Sequence, residues 1–121
     1  MALPKKIKIG AQVWDVIERT RATDGMINDD AYGYTLQKTN TIVLDKECPI
    51  SRKRQTLLHE LFHAIRYSSG NSGIKPNMDD VLPGEVIITW GHYFIGMYED
   101  AFLAVLRENP TLVKFFLEKD S

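Results

Sequence analysis

Residues 52–67 constrain the fold of this chain most, because their apolar side chains recur at the spacing of an α-helix. Positions three and four apart lie on one side of a helix, so these side chains form one stripe that we expect to face a core. Ser51 is a suitable N-cap for this helix, and Gly70 suits the left-handed conformation that often follows a helix end. The stripe consists of Leu57, Leu58, Leu61, Phe62 and Ile65.

The residues before this helix carry strand patterns. Residues 6–17 have apolar side chains at alternate positions, which predicts a strand or a hairpin bent near Gly10. Residues 20–30 are polar and rich in Gly, Asn and Asp, so we expect a loop there. Residues 32–37 and 41–45 are two short β-rich runs separated by three polar residues, which is typical of a hairpin. The alternating apolar residues of the first run are Ile7, Ile9, Val13 and Ile17.

The residues after this helix are predominantly helical in pattern. A polar loop over residues 71–83 precedes a predicted long helix over residues 85–108. Gly91 and Gly96 lie inside it at a cost of about 1 kcal/mol each, so they mark close packing or a break. Asn109 and Pro110 predict that this helix ends and that a last helix begins, with Asn109 as its N-cap. We expect the last helix to cover residues 111–119 and to pack Leu112, Phe115 and Phe116. Strands first and helices afterwards predict one α+β domain over residues 1–121.

Composition limits the partners and the compartment. The 121 residues include 15 basic and 16 acidic side chains, a net charge of −1, so we expect neither nucleic acid nor an anionic membrane as partner. The basic run at residues 52–54 is short and is interpreted as the solvated first turn of a helix. Cys48 is the only cysteine, which rules out an internal disulfide. No signal peptide or membrane-spanning run is found, so the expected location is the cytoplasm.

Two of the three histidines lie four residues apart on the first predicted helix. The spacing puts the imidazoles of His59 and His63 on one side, one turn apart, where their nitrogens can bind one Zn²⁺. Glu60 is rotated from His59 by about 100° around the helix. Its carboxylate can therefore reach a water held by the metal without being a ligand, as a general acid/base must. The pattern predicts metal-assisted hydrolysis.

A catalytic zinc needs a third protein ligand and an open position. Three side chains of the second helix are candidates, namely Glu85, His92 and Glu99, which are spaced by seven residues and share nearly one face. Seven residues of helix span about 10 Å, so at most one of the three can reach the metal. Glu85, at the start of the helix, is the first candidate, and His92 and Glu99 stay open as alternatives.

Residues 55–65, which contain His59-Glu-Leu-Phe-His63, resemble the active-site helix of small zincin-like metallopeptidases encoded by phages and prophages. These enzymes are distantly similar to the ImmA/IrrE-type peptidases. Residues 32–45 are similar to the hairpin that precedes this helix in the family, and residues 105–113 resemble its C-terminal end. The resemblance covers about residues 6–116, and it implies a zincin-like fold with a short antiparallel or mixed sheet, an active-site helix and a C-terminal helical part.

The resemblance also implies roles for single residues. His59 and His63 match the zinc ligands, Glu60 the catalytic acid/base, and Glu85 the third, gluzincin-like ligand if its helix is two turns longer than usual. Alignment of the C-terminal ends without a gap puts His92 or Tyr93 there instead. We therefore expect a zinc-dependent peptidase acting on a protein or peptide substrate.

Three further points stay open from the sequence. An exposed edge strand of the hairpin could hold an extended substrate, and a tyrosine could stabilise the oxyanion. The alternative function is a catalytically inactive zincin-fold module that binds metal or another protein. The candidate tyrosines are Tyr32, Tyr34, Tyr67, Tyr93 and Tyr98.

Overall fold

The computed structural model describes residues 3–68 and 82–119, without the side chains of residues 83, 86–94 and 97. Four strands come first, β1 (Lys6–Ile9), β2 (Gln12–Arg19), β3 (Gly33–Leu36) and β4 (Thr41–Asp45). Three α-helices follow, α1 (Ile50–Ser68), α2 (Val86–Glu108) and α3 (Pro110–Leu117), with a 3₁₀ turn at Pro83–Glu85 before α2. The predicted α+β order of strands and then helices is confirmed.

The four strands form one mixed sheet in the order β1-β2-β4-β3. The outer pairs are antiparallel hairpins, and the central strands β2 and β4 run parallel. Gly10 turns the first hairpin with φ 60° and Asn40 the second with φ 48°, a left-handed region that Gly and Asn tolerate best. Both predicted hairpins are therefore confirmed.

One face of the sheet packs against the helices and forms the core. The odd-numbered alternation predicted for residues 6–17 does not continue past the turn, because Ile7 lies opposite Trp14 in the ladder. Trp14 is consequently buried, whereas Val13 lies on the other face and is 52% exposed. The core side chains from strands and helices are Ile7, Ile9, Trp14, Val16, Ile42, Leu44, Leu57, Leu61, Ala64, Ile65, Val105, Leu112 and Phe115.

Two details of the predicted first helix are wrong. The backbone N–H of Lys53 donates to the carbonyl of Pro49 at 3.0 Å, so the helix starts before Ser51, which is not its N-cap. Leu58, expected in the core, is 37% exposed because the sheet covers a narrower face of α1 than the apolar stripe. Gly70 and residues 71–81, predicted as a cap and a loop, lie outside the described residues.

Both ends of α1 are fastened to β2. Near its start, the Lys53 ammonium lies 2.7 Å from a carboxylate oxygen of Glu18. Near its end, the Ser68 hydroxyl accepts a hydrogen bond from the Trp14 indole at 2.7 Å and donates to Gln12 at 3.0 Å. The helix is therefore held along the sheet on the central strand β2.

The basic run at the start of α1 is not a uniformly solvated turn. Arg52 is exposed, but Lys53 and Arg54 are half-buried. The Arg54 Nε donates to the carbonyl oxygen of Phe115 at 2.8 Å, and its guanidinium carbon lies 5.4 Å from the centre of the Phe115 ring. Tertiary contacts with β2 and α3 thus bind two of the three cations.

The helical half agrees with the prediction in outline. Helix α2 is continuous through both glycines, and a Cβ built on Gly96 meets no atom within 4 Å, so this glycine marks neither a break nor close packing. Asn109 stands between α2 and α3 but makes no side-chain cap bond, and α3 ends at Leu117, short of the predicted residue 119. No helix in the described ranges is long and apolar enough to cross a membrane.

Candidate functional site

The structure brings His59 and His63 together on the exposed side of α1. Their Nε2 atoms are 3.3 Å apart, and their ring centroids are separated by 5.0 Å. Two nitrogens that each lie 2.0–2.1 Å from a tetrahedral ion are about 3.3–3.4 Å apart. The pair therefore already has the separation that two imidazole ligands of one zinc ion require.

Glu60 is buried beside this pair, with 7% of its surface exposed. Its Oε1 accepts a hydrogen bond from the Thr35 hydroxyl of β3 at 2.9 Å. Its Oε2 lies 3.8 Å from the Nε2 of His59. One carboxylate oxygen is thus held by the sheet, while the other is next to the His59 imidazole.

The position of β3 beside α1 depends on Gly33. A Cβ at this position would lie 2.7 Å from the Thr56 Cγ2 and 2.7 Å from the Val43 carbonyl oxygen, closer than real Cβ contacts come. Any larger residue would push the strand away from the helix. Glycine at residue 33 therefore permits the approach that brings Thr35 to Glu60.

The outer side of β3 is also the edge of the described sheet. The N–H of Asp45 donates to the Tyr32 carbonyl at 2.8 Å, which marks these two residues as a hydrogen-bonded pair of the antiparallel ladder. The backbone groups of alternate residues point the opposite way, so those of Gly33 and Thr35 point away from β4. The backbone N–H and C=O groups of Gly33 and Thr35 therefore lie at the edge of the sheet nearest α1.

A groove of about 310 Å³ lies between this strand and α1. His59 and Glu60 line it together with Tyr32 and Gly33 of the β3 segment and with Arg52, two turns earlier on α1. A wider, shallow depression on the other face of the sheet contains none of these side chains. Of the predicted site residues, His59 and Glu60 are thus accessible from this groove.

Among the candidate tyrosines whose side chains the structure describes, Tyr32 lines this groove. The Tyr34 hydroxyl donates instead to Asp24, and burial, followed by this bond, raises the pKa of Tyr34. The same hydrogen bond lowers the pKa of Asp24. Tyr67 and Tyr98 pack against the core, and the side chain of Tyr93 lies outside the described atoms.

The thiol of Cys48 is less acidic than that of a free cysteine. Burial raises the pKa of its thiol, and a hydrogen bond to Asp45 at 3.3 Å raises it further. The thiolate, which is the nucleophilic form of cysteine, is therefore less populated at neutral pH than in a free cysteine.

The third ligand stays a prediction. Glu85 is exposed at the N-cap of α2, and Glu99 is exposed further along the same helix. Within the described side chains, no three His, Cys, Asp or Glu residues form a metal-holding group, so neither glutamate joins the histidine pair in this structure. His92 lies on α2, but its side chain is outside the description.

Comparison of the chain with protein-family models, with curated proteins and with solved structures returns no match. The zincin-like resemblance accordingly remains a hypothesis carried by the residues themselves. Neither Thr35 nor Gly33 was predicted from the sequence as part of the site. The sequence does contain a weak indication of their role. The two residues are small and lie two positions apart, so they share one face of the strand that leads into the hairpin turn.

Proposed function

We propose that this chain is a zinc-dependent peptidase. In its active site, His59 and His63 bind the zinc ion and Glu60 is the general acid/base. The observation that carries the proposal is the pair of Nε2 atoms 3.3 Å apart with a buried carboxylate oxygen 3.8 Å from one of them. This combination supplies two nitrogen donors for zinc and one base beside them. Glu85 is the first candidate for the third ligand, with His92 and Glu99 as alternatives.

The chain's own groups suit the steps of hydrolysis. A zinc ion bound by the two histidines would supply Lewis acidity for the attacking water and the scissile carbonyl. Oε2 of Glu60 accepts the proton of the attacking water and later delivers it to the leaving amine nitrogen. The Thr35 hydroxyl holds Oε1 at 2.9 Å, so the carboxylate keeps its other oxygen beside His59.

The groove offers the substrate a place beside these groups. An extended peptide can form backbone hydrogen bonds with the outward-pointing groups of Gly33 and Thr35. The phenol of Tyr32 lines the same groove and is our candidate for stabilising the oxyanion that forms as water attacks. The reaction we infer is thus hydrolysis of an extended segment of a protein or peptide.

Metal content of the untagged protein is the first test. We expect about one tightly bound zinc per parent chain, greatly weakened binding in His59→Ala and His63→Ala, and weakened binding in one variant of the third-ligand set. A parent chain that binds no zinc after reconstitution would contradict the proposal and favour an inactive interaction module. The third-ligand set consists of Glu85→Ala, His92→Ala and Glu99→Ala.

Glu60→Gln separates catalysis from metal binding. The amide oxygen of glutamine can still accept the hydrogen bond from Thr35, so we expect normal folding and zinc content. Loss of the base should lower peptide cleavage by about 10²–10⁴-fold. Glu108→Gln, at an exposed position at the end of α2, is the matched control and should cleave like the parent. Equal cleavage by the parent and Glu60→Gln would refute the assigned role.

A further inference from the structure

We infer that Arg52 makes this peptidase selective for substrates with an acidic side chain on one side of the scissile bond. The inference rests on the proposed function, because it assigns a substrate class to the same groove. Arg52 lines the groove that His59 and Glu60 also line. A guanidinium at that place is complementary to a carboxylate, which it can bind through two parallel hydrogen bonds.

Arg52 is held in position by two neighbours that leave most of its donors available. Its guanidinium carbon lies 5.0 Å from the centre of the Tyr32 ring, and its Nη1 donates to Gln55 at 2.9 Å. A guanidinium has five N–H donors, so one hydrogen bond occupies a small part of them. Stacking on an aromatic ring fixes its plane without neutralising its charge.

The two cations that follow Arg52 have interaction partners outside the groove. Lys53 pairs with Glu18, and Arg54 donates to a carbonyl of α3. The described part of the chain forms no ion pair between Arg52 and a carboxylate. Arg52 is therefore the cation of this basic run that faces the groove with its charge uncompensated by a direct partner.

The spacing along α1 predicts where the acidic residue binds. Arg52 and His59 are seven residues apart, which is about 10 Å along a helix and nearly the same face. An extended peptide advances by about 3.3 Å per residue. Arg52 therefore lies opposite a side chain about three residues from the one beside His59. The preference should occur on one side of the scissile bond, since Arg52 lies at one end of the groove.

Asp30 is the second carboxylate that lines this groove, besides Glu60. Its carboxylate is exposed and repels a second carboxylate, so it limits the preference that Arg52 creates. Asp30→Asn should therefore strengthen the selection for acidic residues, whereas Arg52→Gln should abolish it. The two substitutions give opposite signs at one subsite, which a general loss of structure would not produce.

The test uses the zinc-loaded full chain and quenched fluorescent decapeptides that differ only by Asp or Asn at one position. We expect the parent to cleave the Asp peptide about two- to five-fold faster when the residue lies about three positions from the cut, the range of an exposed charged pair. The preference should shrink at high salt. It should vanish in Arg52→Gln and persist in the control Arg107→Gln, an exposed arginine at the end of α2.

A second readout separates this inference from the proposed function. The same peptides are titrated against the Glu60→Gln chain with and without Arg52→Gln, and binding is measured by fluorescence polarisation. Tighter binding of the Asp peptide that depends on Arg52 supports the inference even if the parent cleaves nothing. Cleavage or binding that ignores the Asp–Asn difference, or no interaction with any peptide, overturns it.

Discussion

The two edge strands of the sheet, β1 and β3, differ in the hydrogen-bond partners of their outward-pointing backbone groups. At the β1 edge, the side chain of Asn109 accepts from the N–H of Lys8 at 2.8 Å and donates to the carbonyl of Lys8 at 2.8 Å. At the β3 edge, the groups of Gly33 and Thr35 point toward no other described strand. The amide of Asn109 thus occupies the position of a neighbouring strand's peptide group on one side only.

This difference would restrict strand addition by an extended peptide to one edge. An unpaired strand edge is a template for any extended chain, and proteins usually block it. Here β1 is blocked by a single buried amide, which also donates to Val105 at 2.7 Å. Within the part of the chain that the structure describes, the unblocked edge belongs to β3, which borders the groove with His59 and Glu60. A peptide drawn to the sheet would therefore bind beside the candidate catalytic groups.

Asn109→Ala should have the largest effect, on stability. It removes three hydrogen bonds and leaves the Lys8 groups without that partner, so we expect a loss of about 2–4 kcal/mol in the free energy of unfolding. Urea denaturation measures it. Asn28→Ala, at an exposed surface turn, is the control and should cost less than about 1 kcal/mol. Equal stability of the parent and Asn109→Ala would show that the β1 edge needs no such block.

Gly33→Ala should act at the other edge with a smaller effect. The added methyl group would overlap Thr56 and the Val43 carbonyl, so β3 must move away from α1 at a cost of about 1–3 kcal/mol. The control is Gly25→Ala, because a Cβ there meets no atom within 4 Å. Unfolding curves of the two variants, together with their peptide cleavage, test the comparison. Similar results for both would mean that the close approach of β3 is unimportant.

Thr35→Val should have the smallest effect of the three, and it concerns activity. Valine keeps the shape of threonine but removes the hydroxyl that binds Glu60, so we expect kcat to fall about ten-fold with little change in KM. Thr35→Ser retains a hydroxyl and should restore most of the rate. A serine variant as slow as the valine variant would point to packing, not the hydrogen bond, as the contribution of this residue.

Local patterns made most of the fold predictable. Helix α1 and both hairpins follow from the spacing of apolar residues and from Gly10 and Asn40 at the turns. The exposure of Leu58 does not, because it depends on how much of α1 the sheet covers. The bonds between Asn109 and Lys8 join positions 101 residues apart, and no local pattern contains them.

The candidate site likewise contains residues that a local pattern predicts and residues that depend on tertiary packing. His59, Glu60 and His63 were predicted because one helix fixes their mutual positions through its pitch. Thr35 and the stacking of Arg52 on Tyr32 were missed because both depend on the packing of β3 against α1. The third ligand could not be chosen among Glu85, His92 and Glu99 because that choice depends on the placement of α2 relative to α1.

The origin of both histidines in one helix links metal affinity to folding. The two donors meet as soon as α1 forms, even in a partly folded chain, whereas a donor from outside α1 joins only in the native structure. Any zinc that binds the unfolded or partly folded chain reduces the stabilisation that metal gives to the native state. The gain in melting temperature on adding zinc would therefore measure how much of the site is supplied by tertiary structure.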